Sequence, residues 1–145
     1  MKLVMVSGHF DPLHEGHISY LRQAAKIEQG KILCIVSSDR QVIQKKGKAN
    51  IPEGTRLLIV TAVLRFLLSS WKIEDIRLNT WDTETTLVAE ALRAFKPGIF
   101  FRGGDKTMDD MPPDEKKACD DLGIQILYAQ LEYDVHGKEM RWEKS

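Results

Sequence analysis

The amino-acid sequence is short of cysteine and has no excess of either charge. Its 145 residues include two cysteines, and 21 basic side chains balance 21 acidic ones. Cys34 lies in an apolar run and Cys119 in a predicted amphipathic helix, and their spacing matches no zinc pattern. We therefore expect reduced core thiols in a cytoplasmic protein. Because nucleic-acid-binding proteins usually carry a basic surplus, the balanced charge argues against that class.

Long hydrophobic runs are also absent. Residues 57–68 form the longest apolar stretch, but Thr61 and Arg65 interrupt it. The stretch is shorter than the roughly 20 residues that cross a bilayer. Only the short apolar run 3–6 precedes Ser7, which is too little for a signal peptide. We expect no membrane insertion, and one domain over residues 1–145, because the chain has the usual size of a single domain.

Strand-like and helix-like patterns alternate along the whole chain. Strands are predicted at residues 3–6, 32–36, 76–78, 99–101 and 124–128, with helices between them. A short turn is predicted at 39–44, followed by a polar loop at 45–50. Such alternation with short connections implies right-handed crossovers and a parallel sheet covered on both faces. The predicted fold class is α/β, a Rossmann-like doubly wound parallel five-stranded sheet in the order 3-2-1-4-5.

The most informative segment is Ser7–His17, which reads SGHFDPLHEGH. It follows the first predicted strand and precedes a helical pattern. At such a turn, unpaired amides and the helix dipole favour phosphate groups. Gly8 and Gly16 leave the backbone uncovered where a phosphate chain must approach closely. With the imidazoles of His14 and His17 three residues apart at the same turn, the layout predicts a nucleotide site.

The string Gly-x-Phe-Asp-x-x-His-x-Gly-His in this segment resembles the signature of the cytidylyltransferase-like nucleotidyltransferases. That superfamily includes glycerol-3-phosphate cytidylyltransferase, archaeal FMN adenylyltransferase and the adenylyltransferase half of ADP-heptose synthase. The resemblance implies transfer of a nucleoside monophosphate to a small phosphate- or phosphonate-bearing acceptor, with release of pyrophosphate. CTP is favoured because cytidylyl transfer is commoner among small stand-alone relatives. The alternative is an ATP-using adenylyltransferase of the sugar-phosphate or FMN type.

The same resemblance implies catalytic roles for four residues. His14 and His17 would donate N–H hydrogen bonds to the triphosphate as charge builds in the transition state. A lysine-bearing loop closes on the triphosphate in the family, and Lys45, Lys46 and Lys48 are the candidates, of which we choose Lys46. Arg56 matches a phosphate-binding arginine at the start of the next helix. Magnesium would be held mainly by the triphosphate, and no metal ligand from the protein is predicted.

A second glycine motif, RGGD at residues 102–105, follows the fourth predicted strand. In the predicted strand order this motif and Ser7–His17 face one crevice, because the winding reverses between the first and fourth strands. The motif resembles the glycine-glycine-aspartate segment of the ADP-heptose synthase domain. Its bare glycines would let a base or ribose lie flat, and Asp105 would accept hydrogen bonds from sugar hydroxyls. The predicted nucleotide-binding residues are Ser7, Gly8, His9, Phe10, Asp11, Gly16, Lys45, Arg102, Gly103, Gly104 and Asp105.

Five residues have roles that the sequence specifies less sharply. Asp11 is expected to brace its turn by hydrogen bonding rather than to bind metal. Phe10 is expected to pack in the core. Asn79, Trp81 and Asp82 follow the third predicted strand and are predicted to line the acceptor pocket, although a packing role for the tryptophan is an equal alternative.

Two further features concern assembly and the carboxyl end. The helix predicted after Pro52 is apolar around its whole circumference, which predicts a homodimer or a covering helix from the same chain. Residues 132–145 lack the Ser/Thr-rich turn that relatives place after the fifth strand. Either the chain is truncated or excised from a longer protein, or the tail binds nucleotide differently through Lys138 and Arg141. A non-catalytic nucleotide sensor and an oligomerisation domain of a larger enzyme stay open as alternative functions.

Overall fold

The computed structural model describes residues 1–131, so the predictions for Lys138, Arg141 and the rest of the carboxyl end lie outside the described residues. Strands and helices alternate in this part of the chain. The elements are β1 (Lys2–Gly8), α1 (Glu15–Ala25), β2 (Gly30–Val36), α2 (Asp39–Lys46), α3 (Glu53–Leu67), a 3-10 turn (Ser70–Lys72), β3 (Ile73–Leu78), α4 (Ala89–Phe95), β4 (Ile99–Arg102), α5 (Pro113–Leu122) and β5 (Gln125–Tyr128).

The five strands form one parallel sheet in the order β3-β2-β1-β4-β5, so the predicted fold class and strand order are confirmed. Successive side chains of β1 point to opposite faces. Val4 and Val6 pack in a core with α1 and α3, whereas Met5 packs in a second core with α4 and α5. Because both faces are covered, the inner strands read as continuous apolar runs, which made them visible in the sequence.

The region after β2 differs from the prediction. Instead of a turn and a polar loop, residues 39–46 form helix α2. Its start is fixed by a capping box in which Gln41 N donates to Ser38 Oγ (3.1 Å) and Ser38 N donates to the Gln41 side chain (3.3 Å). Gly47 ends the helix with φ of +90°, a left-handed cap that glycine adopts at little cost. Lys45 and Lys46 therefore lie in the last turn of a helix rather than in a loop.

Helix α3 buries one face against the sheet and leaves an apolar face exposed. Arg56, Val60 and Leu64 are fully buried, whereas Leu58 and Phe66 are 68% and 88% exposed. Within residues 1–131 no other helix covers this face, so the alternative of a covering helix is not realised there. Among the same residues, none of the helices has both the length and the apolar character needed to cross a membrane.

Candidate functional site

A cavity of about 550 Å³ lies at the carboxyl ends of the strands, where β1 and β4 diverge. Its volume is typical of small-molecule sites. Both glycine motifs line it, together with the two lysines of α2. The lining includes Ser7, Gly8, His9, Phe10, Asp11, His14, Gly16, His17, Lys45, Lys46, Arg102, Gly103, Gly104 and Asp105. The structure thus brings together most of the residues that the sequence predicts for nucleotide binding and catalysis.

His14 and His17 form a stacked pair at the start of α1. His14 is the residue that caps the helix, and the two rings lie 3.8 Å apart at an angle of 17°. His14 N donates to Nδ1 of His17 (3.2 Å). Burial lowers the pKa of His17 to about 3, so the ring is neutral at pH 7 and carries its proton on Nε2. The pair therefore presents an imidazole N–H donor beside the helix N-terminus.

The other ring of the motif is held by the neighbouring strand. His9 Nδ1 lies 2.7 Å from Oγ of Ser37, the residue that follows β2. Burial, with the nearby charges of Lys46 and Arg56, lowers the pKa of His9 to about 4. Burial is also the main cause that lowers the pKa of His14. At neutral pH all three imidazoles are uncharged, and the positive charge of this wall comes from the lysines.

Phe10 explains why glycine occupies position 8. Phe10 is 1% exposed, which confirms its predicted place in the core, and it has a φ of +52°. A Cβ on Gly8 would lie 3.0 Å from the Phe10 ring, tighter than ordinary contacts allow. The ring also contacts His17 edge-on, with centroids 5.0 Å apart. Glycine at this position therefore makes room for the chain's own aromatic ring.

Asp11 braces the turn, as predicted. Its carboxylate accepts hydrogen bonds from Asn50 N (2.8 Å) and Ile51 N (2.7 Å), and the residue is 6% exposed. These two bonds tie the segment after α2 to the histidine motif. The lysines at the end of α2 are consequently held in a fixed relation to the histidines.

Arg56 does not line the cavity, and its predicted contact with phosphate stays a prediction. The side chain is fully buried behind the motif turn. It donates to the carbonyls of His9 (2.8 Å), Ser37 (2.7 Å) and Ile51 (2.8 Å), and to the Asp39 carboxylate (2.9 Å). A guanidinium with these partners holds the ends of β1 and β2 together. Arg56 is a positioning residue in this structure.

The second glycine motif lines the cavity and also packs against the chain that follows β5. A Cβ on Gly104 would lie 2.8 Å from Leu131 N and 2.9 Å from Ala129 O, so the chain after β5 packs closely against this glycine. Arg102 is 7% exposed and donates to Thr107 O (2.7 Å). Asp105 lies at the rim, about half exposed, with Lys106 4.0 Å away. Gly103 and Gly104 both line the cavity, and their predicted contact with a base or ribose stays a prediction.

Asn79, Trp81 and Asp82 do not line this cavity, and their predicted role in binding the acceptor stays a prediction. Asn79 Oδ1 accepts from the amides of Trp81 and Asp82, both at 3.1 Å. The Asp82 carboxylate accepts from Glu90 N (2.8 Å) at the start of α4, an anion at a helix N-terminus. Trp81 packs edge-on against Phe95 with centroids 4.6 Å apart, which realises the packing alternative.

Ten further residues that the sequence did not reveal line the same cavity. They are Tyr20, Gln23, Thr86, Leu87, Val88, Lys106, Asp110, Pro112, Glu115 and Gln130. Glu115 is 7% exposed and accepts from Val88 N (3.1 Å), and burial raises the pKa of its carboxyl. Two acidic residues, Asp114 and Glu115, after a Pro-Pro helix start were a readable signal for this position. Among residues 1–131, no three His, Cys, Asp or Glu side chains are grouped closely enough to hold a metal ion.

The fold, the histidine pair and the lysines at one cavity are features of a nucleotide-handling α/β domain. The chain belongs to the cytidylyltransferase-like family, whose model matches residues 5–139. The predicted resemblance to the cytidylyltransferase-like nucleotidyltransferases is thereby confirmed.

This chain matches a different share of each relative's length. The bifunctional protein HldE of Psychromonas ingrahamii is 37% identical over 128 residues, 87% of this chain and 24% of that protein. The FAD synthase of Methanolacinia petrolearia is 31% identical over 134 residues, 91% of this chain and 79% of that protein. A crystal structure titled lipopolysaccharide core biosynthesis protein, from Thermoplasma volcanium, superimposes with a TM-score of 0.66 at 25% identity, covering 92% of this chain and 99% of that one. The chain thus spans about a quarter of that HldE protein and most of the FAD synthase.

Proposed function

We propose that the chain transfers a nucleoside monophosphate from a nucleoside triphosphate to a small phosphate- or phosphonate-bearing acceptor and releases pyrophosphate. The observation that carries the proposal is the neutral His14–His17 pair at the N-terminus of α1, in the same cavity as Lys45 and Lys46. The positive end of a helix dipole, an imidazole N–H and two ammonium groups suit a polyphosphate.

The chemistry needs positioning and charge compensation rather than a covalent intermediate. An oxygen of the acceptor attacks the α-phosphorus in line, a new P–O bond forms, and the bond to the bridging oxygen of the pyrophosphate breaks. The Nε2–H of His17 donates to a phosphate oxygen as negative charge grows there. Lys45 and Lys46 compensate the charge of the departing pyrophosphate. Asp11 holds these groups in register through Asn50 and Ile51.

Magnesium fits this cavity as a companion of the triphosphate. Asp105 and Asp110 both line the cavity, and each is about half exposed. Mg²⁺ in phosphoryl-transfer sites is commonly bound by one or two carboxylates together with substrate phosphates. We infer that Asp105 or Asp110 would hold the ion beside the triphosphate, and that the ion would supply positive charge to the phosphate groups.

We propose ATP as the nucleotide, ahead of CTP. The support is the FAD synthase relative, because the chain matches 79% of that protein and its named product contains an adenylyl group. The preference for CTP rested on the small size of the chain and stays a prediction. The acceptor is proposed only as a phosphate or phosphonate ester of a small alcohol.

A pyrophosphate-release screen tests the proposal. ATP and CTP are each paired with a panel of phosphorylated and phosphonate alcohols, FMN included, in the presence of Mg²⁺. One productive pair then serves for variants: His17→Ala and His14→Ala should each lower kcat by about 10²- to 10³-fold, the usual cost of one transition-state donor. Lys46→Ala should lower kcat/KM, whereas Lys48→Ala, outside the cavity, is the matched control.

Two outcomes would replace the proposal with one of the alternatives. Nucleotide binding without turnover by any acceptor would indicate a sensor. Failure of every nucleotide to raise the melting temperature would indicate an oligomerisation domain, because a ligand at 100 times its Kd stabilises the folded state by about 2.7 kcal/mol. We also propose a homodimer through the exposed apolar face of α3, which is formed by Leu58, Ile59 and Phe66.

A further inference from the structure

The pairing between β1 and β4 ends before either strand reaches its glycine motif, which begins at Ser7 in one strand and at Arg102 in the other. Met5 lies opposite Phe100, and this is the last pair of the β1–β4 ladder. The Gly8 carbonyl bonds to the chain beyond β2, so the amide of Ser7, the preceding residue, faces β4. Because a parallel ladder advances evenly, continued pairing would bring Ser7 N–H onto the carbonyl of Phe101.

The hydroxyl of Tyr20 occupies the place of that missing bond. Ser7 N donates to the hydroxyl oxygen (3.1 Å), and the hydroxyl donates to Phe101 O (2.6 Å). The Tyr20 ring stacks on the Phe101 ring, with centroids 5.7 Å apart and 14° between the planes. Burial raises the pKa of Tyr20, so at neutral pH the hydroxyl keeps its proton and can donate it to a hydrogen bond.

We propose that Tyr20 is a positioning residue that wedges β1 and β4 apart and so sets the width of the nucleotide cavity. Tyr20 belongs to α1, three residues after His17, and its hydroxyl bonds to both strand ends. Ser7 leads into the histidine motif and Phe101 leads into the diglycine motif. One hydroxyl therefore fixes the helix that carries the histidines relative to both motifs. The consequence for catalysis rests on the proposed nucleotidyl transfer.

Tyr20→Phe tests the wedge, because it removes the hydroxyl and keeps the ring. In a crystal structure of this variant we expect Ser7 N and Phe101 O to approach to about 2.9 Å, the distance of an ordinary ladder bond. We expect kcat/KM for pyrophosphate release to fall by about 10²-fold, because a displacement near 1 Å at a positioned site has that effect. The matched control is Val60→Ala, a fully buried α3 position outside the cavity, which should lower the melting temperature and leave kcat unchanged.

Each outcome decides between the wedge and a purely structural tyrosine. Closed strands and a selective loss of kcat/KM support the wedge. Strands that stay apart in Tyr20→Phe, wild-type kinetics, or a variant that fails to fold would each overturn it. If the wild-type chain releases no pyrophosphate with any pair, the proposed function fails, whereas the crystal structure of Tyr20→Phe still decides whether the hydroxyl separates the strands.

Discussion

Replacing Arg56 separates a structural role from a role in phosphate binding. In Arg56→Met the carbonyls of His9, Ser37 and Ile51 lose a charged donor in the protein interior. Each bond to a charged group contributes about 1.5–3 kcal/mol, but removing a buried charge also relieves its desolvation, so we expect a net loss of about 3–5 kcal/mol. The ion pair with Asp39 adds little, because that carboxylate is 37% exposed.

The loss is measured by thermal and urea denaturation. For a domain of this size, 3–5 kcal/mol lowers the melting temperature by about 10–20 °C. Arg56→Lys should lose most of the same stability, since a single ammonium cannot reproduce the guanidinium geometry. Arg65→Met, at an exposed position of the same helix, is the control and should melt within a few degrees of the wild type. An Arg56→Met protein that melts like the wild type but has a raised KM for the nucleotide would refute the reasoning and restore a phosphate contact.

Three other outcomes are expected. Asp82→Ala should lower stability by about 1–2 kcal/mol, because α4 loses its N-terminal carboxylate, and should leave the KM for the acceptor unchanged; a raised KM with normal stability would return this residue to the acceptor site. The free energy of unfolding should fall as the pH drops from 6.5 towards 4. In that range His9 and His17 bind protons in the unfolded chain but stay neutral in the folded one, where their pKa values are lowered. For these partly exposed rings we expect about 2 kcal/mol in total, and a flat profile measured by urea denaturation between pH 6.5 and 4 would contradict it. Phe66→Glu should convert a dimer into monomers in sedimentation equilibrium, and an unchanged mass would exclude this face as the interface.

The sheet and its main motif could be predicted because their signals are local. Apolar runs bounded by turns gave four of the strands, and the second half of β3 was predicted at 76–78. The Ser7–His17 segment was placed correctly because a strand-to-helix turn at the switch point has only one position in this fold. α2 was missed because it has almost no apolar face: within it only Gln41 and Val42 are buried. Its signals were the capping box at Ser38 and the terminal Gly47.

Several predicted site residues lie outside the cavity, and each has a physical reason. Arg56 lies four and eight residues before Val60 and Leu64, which are core positions, so helical spacing placed it on the buried face of α3. The loop after β3 was predicted to line the acceptor pocket because it follows a strand, but β3 is an edge strand, three places from β4. Only the later part of that loop, at 86–88, reaches the cavity. Tyr20, Glu115 and Gln130 reach the cavity through contacts between distant segments, which no local sequence pattern specifies.

The grip of Asp11 on Asn50 and Ile51 uses only amide hydrogens of the main chain. Every residue type except proline supplies such a hydrogen. Positions 50 and 51 can therefore change their side chains and keep the link between the histidine motif and the segment after α2. Only one side of this linkage depends on a particular side chain, the carboxylate of Asp11. A comparison of the side chains at positions 50 and 51 would not reveal it. Substitution libraries that leave position 11 intact and omit proline at 50 and 51 can vary those two positions without loosening the histidine turn.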